Sequence, residues 1–471
     1  MKAYGLWIDG KWRVTKESSP VVDKATGETV ATISVAEEEH VFQAVEASEK
    51  ALLTPIEPYQ RYEIIMEASR ILERDAQKIA ADLCIEVGKP MKEALGEVGR
   101  ARQTLILSAE EAKRMTGEMV PLAGAPNCGK RIAFTKRVPV GIVCAITPFN
   151  FPLNLACHKL GPALAAGNAV IYKPATATPL TAMWLCKVFE EAGLPAGYLN
   201  MLTGSGARLG EWLTQEPRIG FYSFTGSPAV GKTLLAKAGF RRVSLELGSN
   251  SANIVHEDAQ VASVAELCMR HAFANAGQVC ISCQRVYVHR NIFQEFCNAA
   301  VTFTKTLKVG NPKENETDIG PMIHEQEAQR AEAWVQEAVA EGARVLIGGK
   351  RDKAWYEPTI LTQVSQDMKV VCQETFAPIV SIIPYDTIAE AVKQVNDSVY
   401  GLQAGVFTQS IETANYCIEA LHVGGVIIND GATFRTDNMP YGGVKESGIG
   451  REGPQYAVRE MTEEKLVVFN M

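Results

Sequence analysis

The chain has 471 residues, 46% hydrophobic and 21% charged, which is enough apolar material for large cores and, by length, for two or three domains. A net charge of −7 and a pI near 5.7 argue against general affinity for nucleic acid or anionic membrane, and no run of lysine and arginine offsets them. Eleven cysteines, an odd number without framework spacing, and an N-terminus (MKAYGLWIDG) with no long apolar stretch predict a cytoplasmic protein that works in a reducing compartment.

In chain order, LWIDGKWRV reads as a β-hairpin turning at Asp9-Gly10. Residues from about Glu37 to Met115 carry long helical patterns rich in Ala, Glu, Leu and Lys. The rhythm then changes. GIVCAI (Gly141–Ile146), AVIYK (Ala169–Lys173), YLNML (Tyr198–Leu202) and IGFYSF (Ile219–Phe224) are short apolar strands, each followed by a turn and a helical stretch. A second series (ANIV, RVYVH, RVLIGG, IVSIIPY, VIIND) begins after Leu247. Alternation of this kind predicts an α/β fold with two parallel-sheet domains. RIAFTKRVP (Arg131–Pro139) and KLVVFN (Lys465–Asn470) belong to neither series, and can pair with each other or with another subunit.

Phe224–Thr233, FTGSPAVGKT, fits the phosphate-loop pattern G-x-x-x-x-G-K-[ST], which raises the prospect of a nucleotide triphosphatase. No apolar strand ending in a magnesium-binding aspartate accompanies it, and Pro228 removes one N–H donor from the loop. Other residues suit different chemistry. Cys280, in NAGQVCISC after a Gly-Gln turn, is a candidate nucleophile. Cys283 completes a C-x-x-C that also admits a dithiol pair or a zinc half-site with Cys268 and His271, although a second C-x-x-C is lacking, so no metal is expected. Glu246 ends an apolar strand as a candidate general base, and Asn150 follows another as a candidate oxyanion donor. Asn150, Lys173, Gly226 and Glu246 all fall at carboxyl ends of predicted strands, where open parallel sheets bind ligands.

The ordered set ITPFNFPLN, IYKPATATP, FTGSPAVGK, LELGS, NAGQVCIS, ETFAPIV, NDSVYGLQAGVFT and MPYGGVKESGIGREG resembles the NAD(P)-dependent aldehyde dehydrogenase superfamily, essentially from end to end. Within it the chain is similar to the non-acylating branch of succinate-semialdehyde, lactaldehyde and non-phosphorylating glyceraldehyde-3-phosphate dehydrogenases. The resemblance implies a Rossmann-like cofactor domain (1–117 and 138–246), a catalytic domain (247–450), and a small β extension (118–137 and 451–471) for a homo-oligomer, dimer or tetramer. It implies Cys280 as nucleophile, Asn150 and the Cys280 N–H as oxyanion donors, and Glu246 as the base that hydrolyses the thioester. Thr147, Pro148, Lys173, Thr176, Gly206, Thr225, Gly226, Ser227, Val230, Gly231, Leu247, Gly248, Glu374 and Phe376 are the cofactor positions it implies. The phosphate-loop fit is then the turn facing the cofactor pyrophosphate. Thr176 stands where NAD-preferring relatives often carry glutamate, so NADP as well as NAD is expected to serve. A small anionic or hydroxylated aldehyde is expected, among them succinate semialdehyde, lactaldehyde and sulfo- or phosphono-aldehydes, with Arg435, Arg100 or Arg102 holding the anion. Val279, where the glyceraldehyde-3-phosphate enzymes often carry arginine, weighs against a phosphate substrate. A catalytically silent homologue would not need Cys280, Glu246 and Asn150 intact, and a regulatory Cys280–Cys283 disulfide is a further expectation.

Overall fold

The computed structural model describes residues 2–471. Its first large sheet has eight strands, with a parallel centre in the order Arg242–Glu246, Ile219–Thr225, Ile142–Ile146, Ala169–Lys173 and Leu199–Met201. The hairpin Leu6–Ile8 with Lys11–Arg13 extends one edge; Asp9 (φ 54°) and Gly10 (φ 68°) take the left-handed conformations that the tight turn requires. The other edge is closed by Gly448–Ile449, which pairs antiparallel with Leu245 and Glu246 although it lies inside the span read above as catalytic.

This sheet is buried on both faces, so its strands read as unbroken apolar runs. Helices Pro58–Arg74, Met91–Ala112, Asn154–Ala165 and Leu180–Glu191 cover one face, and Glu38–Leu52, Gly206–Gln215 and Pro228–Ala238 the other. Val143, Cys144 and Ala145 in the central strand are wholly inaccessible, and each valine or isoleucine so buried contributes about 1.5–3 kcal/mol.

The second sheet has seven strands in the order Arg344–Ile347, Thr359–Thr362, Ile379–Tyr385, Arg285–His289, Ala252–Val255, Gln403–Phe407 and Gly425–Ile428, all parallel except the first. It too is a layer between helices. The two segments outside both series pair with each other, Thr462–Asn470 running antiparallel to Arg131–Pro139 over their full length. Leu466 and Phe469 remain more than half exposed on that outer strand. Among the described residues, no helix is long and apolar enough to cross a membrane.

Candidate active site

Three neighbouring strands of the first sheet end side by side. Ile142–Ile146 runs into the loop that carries Thr147, Pro148 and Asn150, Ile219–Thr225 into Gly226-Ser227, and Arg242–Glu246 into Glu246 itself. Their carboxyl ends open on one cleft of about 910 Å³ that reaches Cys280 and Glu374 from the second sheet's side.

At its outer end the cleft is a slot between helices Gly206–Gln215 and Pro228–Ala238, lined by Ala207, Gly210, Val230 and Leu234 and bordered by the Lys237–Glu211 ion pair. Midway lies the start of helix Pro228–Ala238, with Ser227 as cap and Pro228 in the first turn, where free N–H groups and the positive helix end favour an anion. Side chains are excluded close by. A Cβ on Gly226 would meet the Phe224 ring at 2.6 Å, and one on Gly231 would meet Leu247 at 2.5 Å. Lys232, which a phosphate loop would aim at its ligand, instead turns outward to Glu446 (2.7 Å). Lys173 is buried with Nζ donating to the Pro174 carbonyl (3.1 Å), and burial pushes its amine down to about 8. Thr176 is exposed, its hydroxyl donating to the Gly204 carbonyl (2.9 Å).

The inner end holds the thiol. Asn275, Ala276 and Gly277 take left-handed φ values of 49°, 53° and 69° in succession. Such strain persists only where the surroundings over-determine it. They do so here: the Glu93 carboxylate accepts from the Asn275 N–H (3.0 Å), and Gly277 packs on the Ala377 carbonyl, where a Cβ would collide. Asn150 Nδ2 donates to the Gln278 carbonyl (2.9 Å), and Asn275 Nδ2 to the Asn150 carbonyl (3.2 Å), so the amide and the cysteine loop are fixed to each other.

Cys280 Sγ lies 2.9 Å from the Tyr441 hydroxyl, and burial pushes the thiol up to about 11 against the opposing pull of Tyr441 and Arg435. Glu246 is 3% exposed and, among the described residues, neither carboxylate oxygen has a hydrogen-bond partner. Burial, and next the Glu452 charge, hold its carboxyl well above the usual range. Glu374 packs on Gly248 and accepts from the Ser249 N–H (3.0 Å), and burial raises it to about 7. Phe376 (φ 45°) stands edge to face with Phe149, ring centres 5.8 Å apart.

The three arginines separate. Arg435 lies beneath the Tyr441 ring, its guanidinium carbon 3.6 Å from the centroid, with Nη2 donating to Glu452 (3.0 Å) and Nε buried without a partner among the described residues. Arg100 donates to Asp437 (2.8 Å), which also meets His158 (3.0 Å), itself 3.3 Å from Arg435. Arg102, by contrast, faces outward to Glu73 (3.0 Å). It is removed from the anion-binding candidates, because two residues along a helix point to nearly opposite sides. The expected Cys280–Cys283 disulfide is not prepared either: Cys283 Sγ is turned to Asn253 (3.1 Å) and Cys268, whereas Cys280 faces Tyr441.

Residues 12–467 match the family model described as the aldehyde dehydrogenase family. The chain belongs to the aldehyde dehydrogenase family. It is 53% identical over 471 residues to a 3-sulfolactaldehyde dehydrogenase of Priestia megaterium, spanning 100% of this chain and 99% of that one. It is 39% identical over 471 residues to a lactaldehyde dehydrogenase of Methanococcus maripaludis, spanning 99% and 100%. A crystal structure of glyceraldehyde-3-phosphate dehydrogenase from Methanocaldococcus jannaschii complexed with NADP superposes with a TM-score of 0.93 at 38% identity, covering 97% of this chain and 100% of that one. In this aldehyde dehydrogenase the sequence reading did not single out Tyr441, Lys159 or Glu452. Tyr441 and Glu452 both stood inside MPYGGVKESGIGREG, whereas nothing local marks Lys159 or its buried pairing with Glu452 (2.9 Å).

Proposed function

We propose that this aldehyde dehydrogenase oxidises a small hydroxylated aldehyde bearing an anionic group, of the 3-sulfolactaldehyde kind, to its carboxylic acid with NADP or NAD. The observation that carries the hydrolytic reading is the buried Glu246 carboxylate, free of hydrogen bonds and lining the same cleft as Cys280 and Asn150. The 53% identity to a 3-sulfolactaldehyde dehydrogenase supports the substrate class.

A dinucleotide fits the residues present. The apolar slot between the two helices suits an adenine, the helix start at Ser227 a pyrophosphate, Lys173 and Glu374 the ribose hydroxyls, and Phe376 the ring packing beside the nicotinamide. The bound cofactor supplies the acceptor for the hydride that the aldehyde carbon loses.

The chain's own residues do the rest. Cys280 Sγ forms a bond to the carbonyl carbon, and the electron pair displaced onto oxygen is received by the Asn150 amide and the Cys280 N–H. Asn150 is already held by Gln278, so little reorganisation is needed when that charge develops. Once the carbon is a thioester, Glu246 takes a proton from a water that attacks it, and Cys280 leaves as thiolate. Glu246 raised by burial is a strong base, and this step is expected to quicken as pH rises through its pKa. The first sheet and its helices form the cofactor-binding unit in this reading, the second sheet carries the thiol, and the exposed strand Thr462–Asn470 offers its free edge to a second copy.

The reading is tested by following cofactor reduction with 3-sulfolactaldehyde, lactaldehyde, succinate semialdehyde, glyceraldehyde 3-phosphate and propionaldehyde. The highest kcat/KM is expected for 3-sulfolactaldehyde; a phosphate aldehyde ahead of it would overturn the assignment. In the same assay Arg435→Lys, which keeps the charge but loses the planar fork, is expected to raise KM for the anionic aldehyde about tenfold and leave that for propionaldehyde unchanged. Thr176→Glu is expected to weaken NADP binding about tenfold by charge repulsion and leave NAD within about twofold, read by fluorescence titration.

A further inference from the structure

The Tyr441 hydroxyl touches the sulfur that does the chemistry, and nothing in the reading above uses it. The tyrosine is 2% exposed. Its ring packs with Val279, Ile281 and Leu402 and lies on the Arg435 guanidinium. Its backbone exchanges hydrogen bonds with Glu452 in both directions (3.1 and 2.6 Å). A phenol clamped on its faces and along its backbone has its Oη position set before any ligand arrives, 2.9 Å from Cys280 Sγ.

We propose that Tyr441 is a catalytic residue whose phenol O–H donates a hydrogen bond to the Cys280 thiolate, stabilising the charged sulfur against its buried surroundings and aiming it at the aldehyde.

The proposal rests on the reading of Cys280 as nucleophile. A thiolate only accepts hydrogen bonds, so the phenol must be the donor, and it keeps its proton because burial pushes its ionisation well above the usual range. At equilibrium the thiol proton passes to solvent and Tyr441 retains its own. When the C–S bond forms, the carbonyl electron pair moves to oxygen and the sulfur loses its charge, so the hydrogen bond is strongest before attack. The surroundings make this donor consequential. Burial, Glu374 and Glu246 oppose the thiolate, and Tyr441 and Arg435 favour it. Beyond Arg435, Glu452 is paired with Lys159, and buried His158 is kept neutral, first by burial and then by Arg435.

The test is the pH dependence of Cys280 alkylation by iodoacetamide in the full-length protein, with and without saturating NADP. The Cys280 peptide is quantified by mass spectrometry, and the partly exposed Cys128 and Cys372 serve as internal references. A Tyr441→Phe variant preserves the apolar packing and loses only the hydroxyl. Its Cys280 midpoint is expected about one pH unit higher, with about tenfold slower alkylation on the rising limb and the two reference thiols unchanged. Site-specific 3-fluorotyrosine at 441, a more acidic donor of nearly the same size, is expected to move the midpoint down. Midpoints that stay in place in both proteins would overturn the proposal. Alkylation needs no turnover, so this result is independent of whether Cys280→Ala abolishes aldehyde oxidation.

Discussion

A Cys280→Ala variant is expected to lose aldehyde-dependent cofactor reduction by a factor on the order of 10⁵ in kcat/KM while its affinity for NADP stays within about twofold. The two halves of that expectation come from different parts of the cleft. The slot between helices Gly206–Gln215 and Pro228–Ala238, the helix start at Ser227, and Lys173 belong to the first sheet's layer, and removing a thiol beyond them leaves their geometry alone. The covalent step has no substitute. Glu246 and Asn150 remain in place, but neither can form the bond from which hydride departs. Initial rates by absorbance of the reduced cofactor, together with fluorescence titration of NADP, check both halves. A variant retaining more than about 1% of turnover would remove Cys280 from the role.

The second large effect is a change of rate-limiting step. Glu246→Gln keeps the size of the side chain and removes its basicity. Attack by Cys280 and loss of hydride do not need this carboxylate, so the variant is expected to release one equivalent of reduced cofactor per subunit in a rapid burst. Steady turnover should then fall by about 10²–10⁴, because the thioester waits for an unassisted water. Intact-mass spectrometry in that interval should find the acyl group on the Cys280 peptide. The pH profile adds a second readout. In the parent enzyme the hydrolytic step is expected to rise with pH as the buried carboxyl ionises, and in the variant this limb should disappear. Absence of a burst with slow linear turnover would show that Glu246 acts before hydride loss.

Much of this was legible from local pattern. The Asp9-Gly10 hairpin, the alternation of strand and helix, and the placement of Asn150, Lys173, Gly226 and Glu246 at strand ends each follow from a few consecutive residues, and the structure carries all of them. What local pattern could not supply was direction. Arg100 and Arg102 look equivalent in GEVGRARQTLI, yet one meets Asp437 and the other Glu73, and only the packing of helix Met91–Ala112 on its neighbours decides between them. Cys280 and Cys283 are close in sequence, but the left-handed turn before them and the burial of Cys283 against Cys268 send their sulfurs to different partners. Tyr441 was in plain view in a glycine-rich motif, where its hydroxyl could have been asked for a partner. That partner lies 161 positions earlier in the chain, a distance no periodicity spans.

The return of the chain to the first sheet at Gly448–Ile449 bears on when the enzyme first becomes reactive. Cys280 is synthesised 161 residues before Tyr441, and before Glu452, whose backbone bridge clamps Tyr441. Until they arrive, the strand ending in Glu246 lacks its outer neighbour and the thiol lacks the Tyr441 hydroxyl. A nascent chain that carries Cys280 but not yet Tyr441 and Glu452 therefore holds the cysteine without the surroundings proposed to arm it.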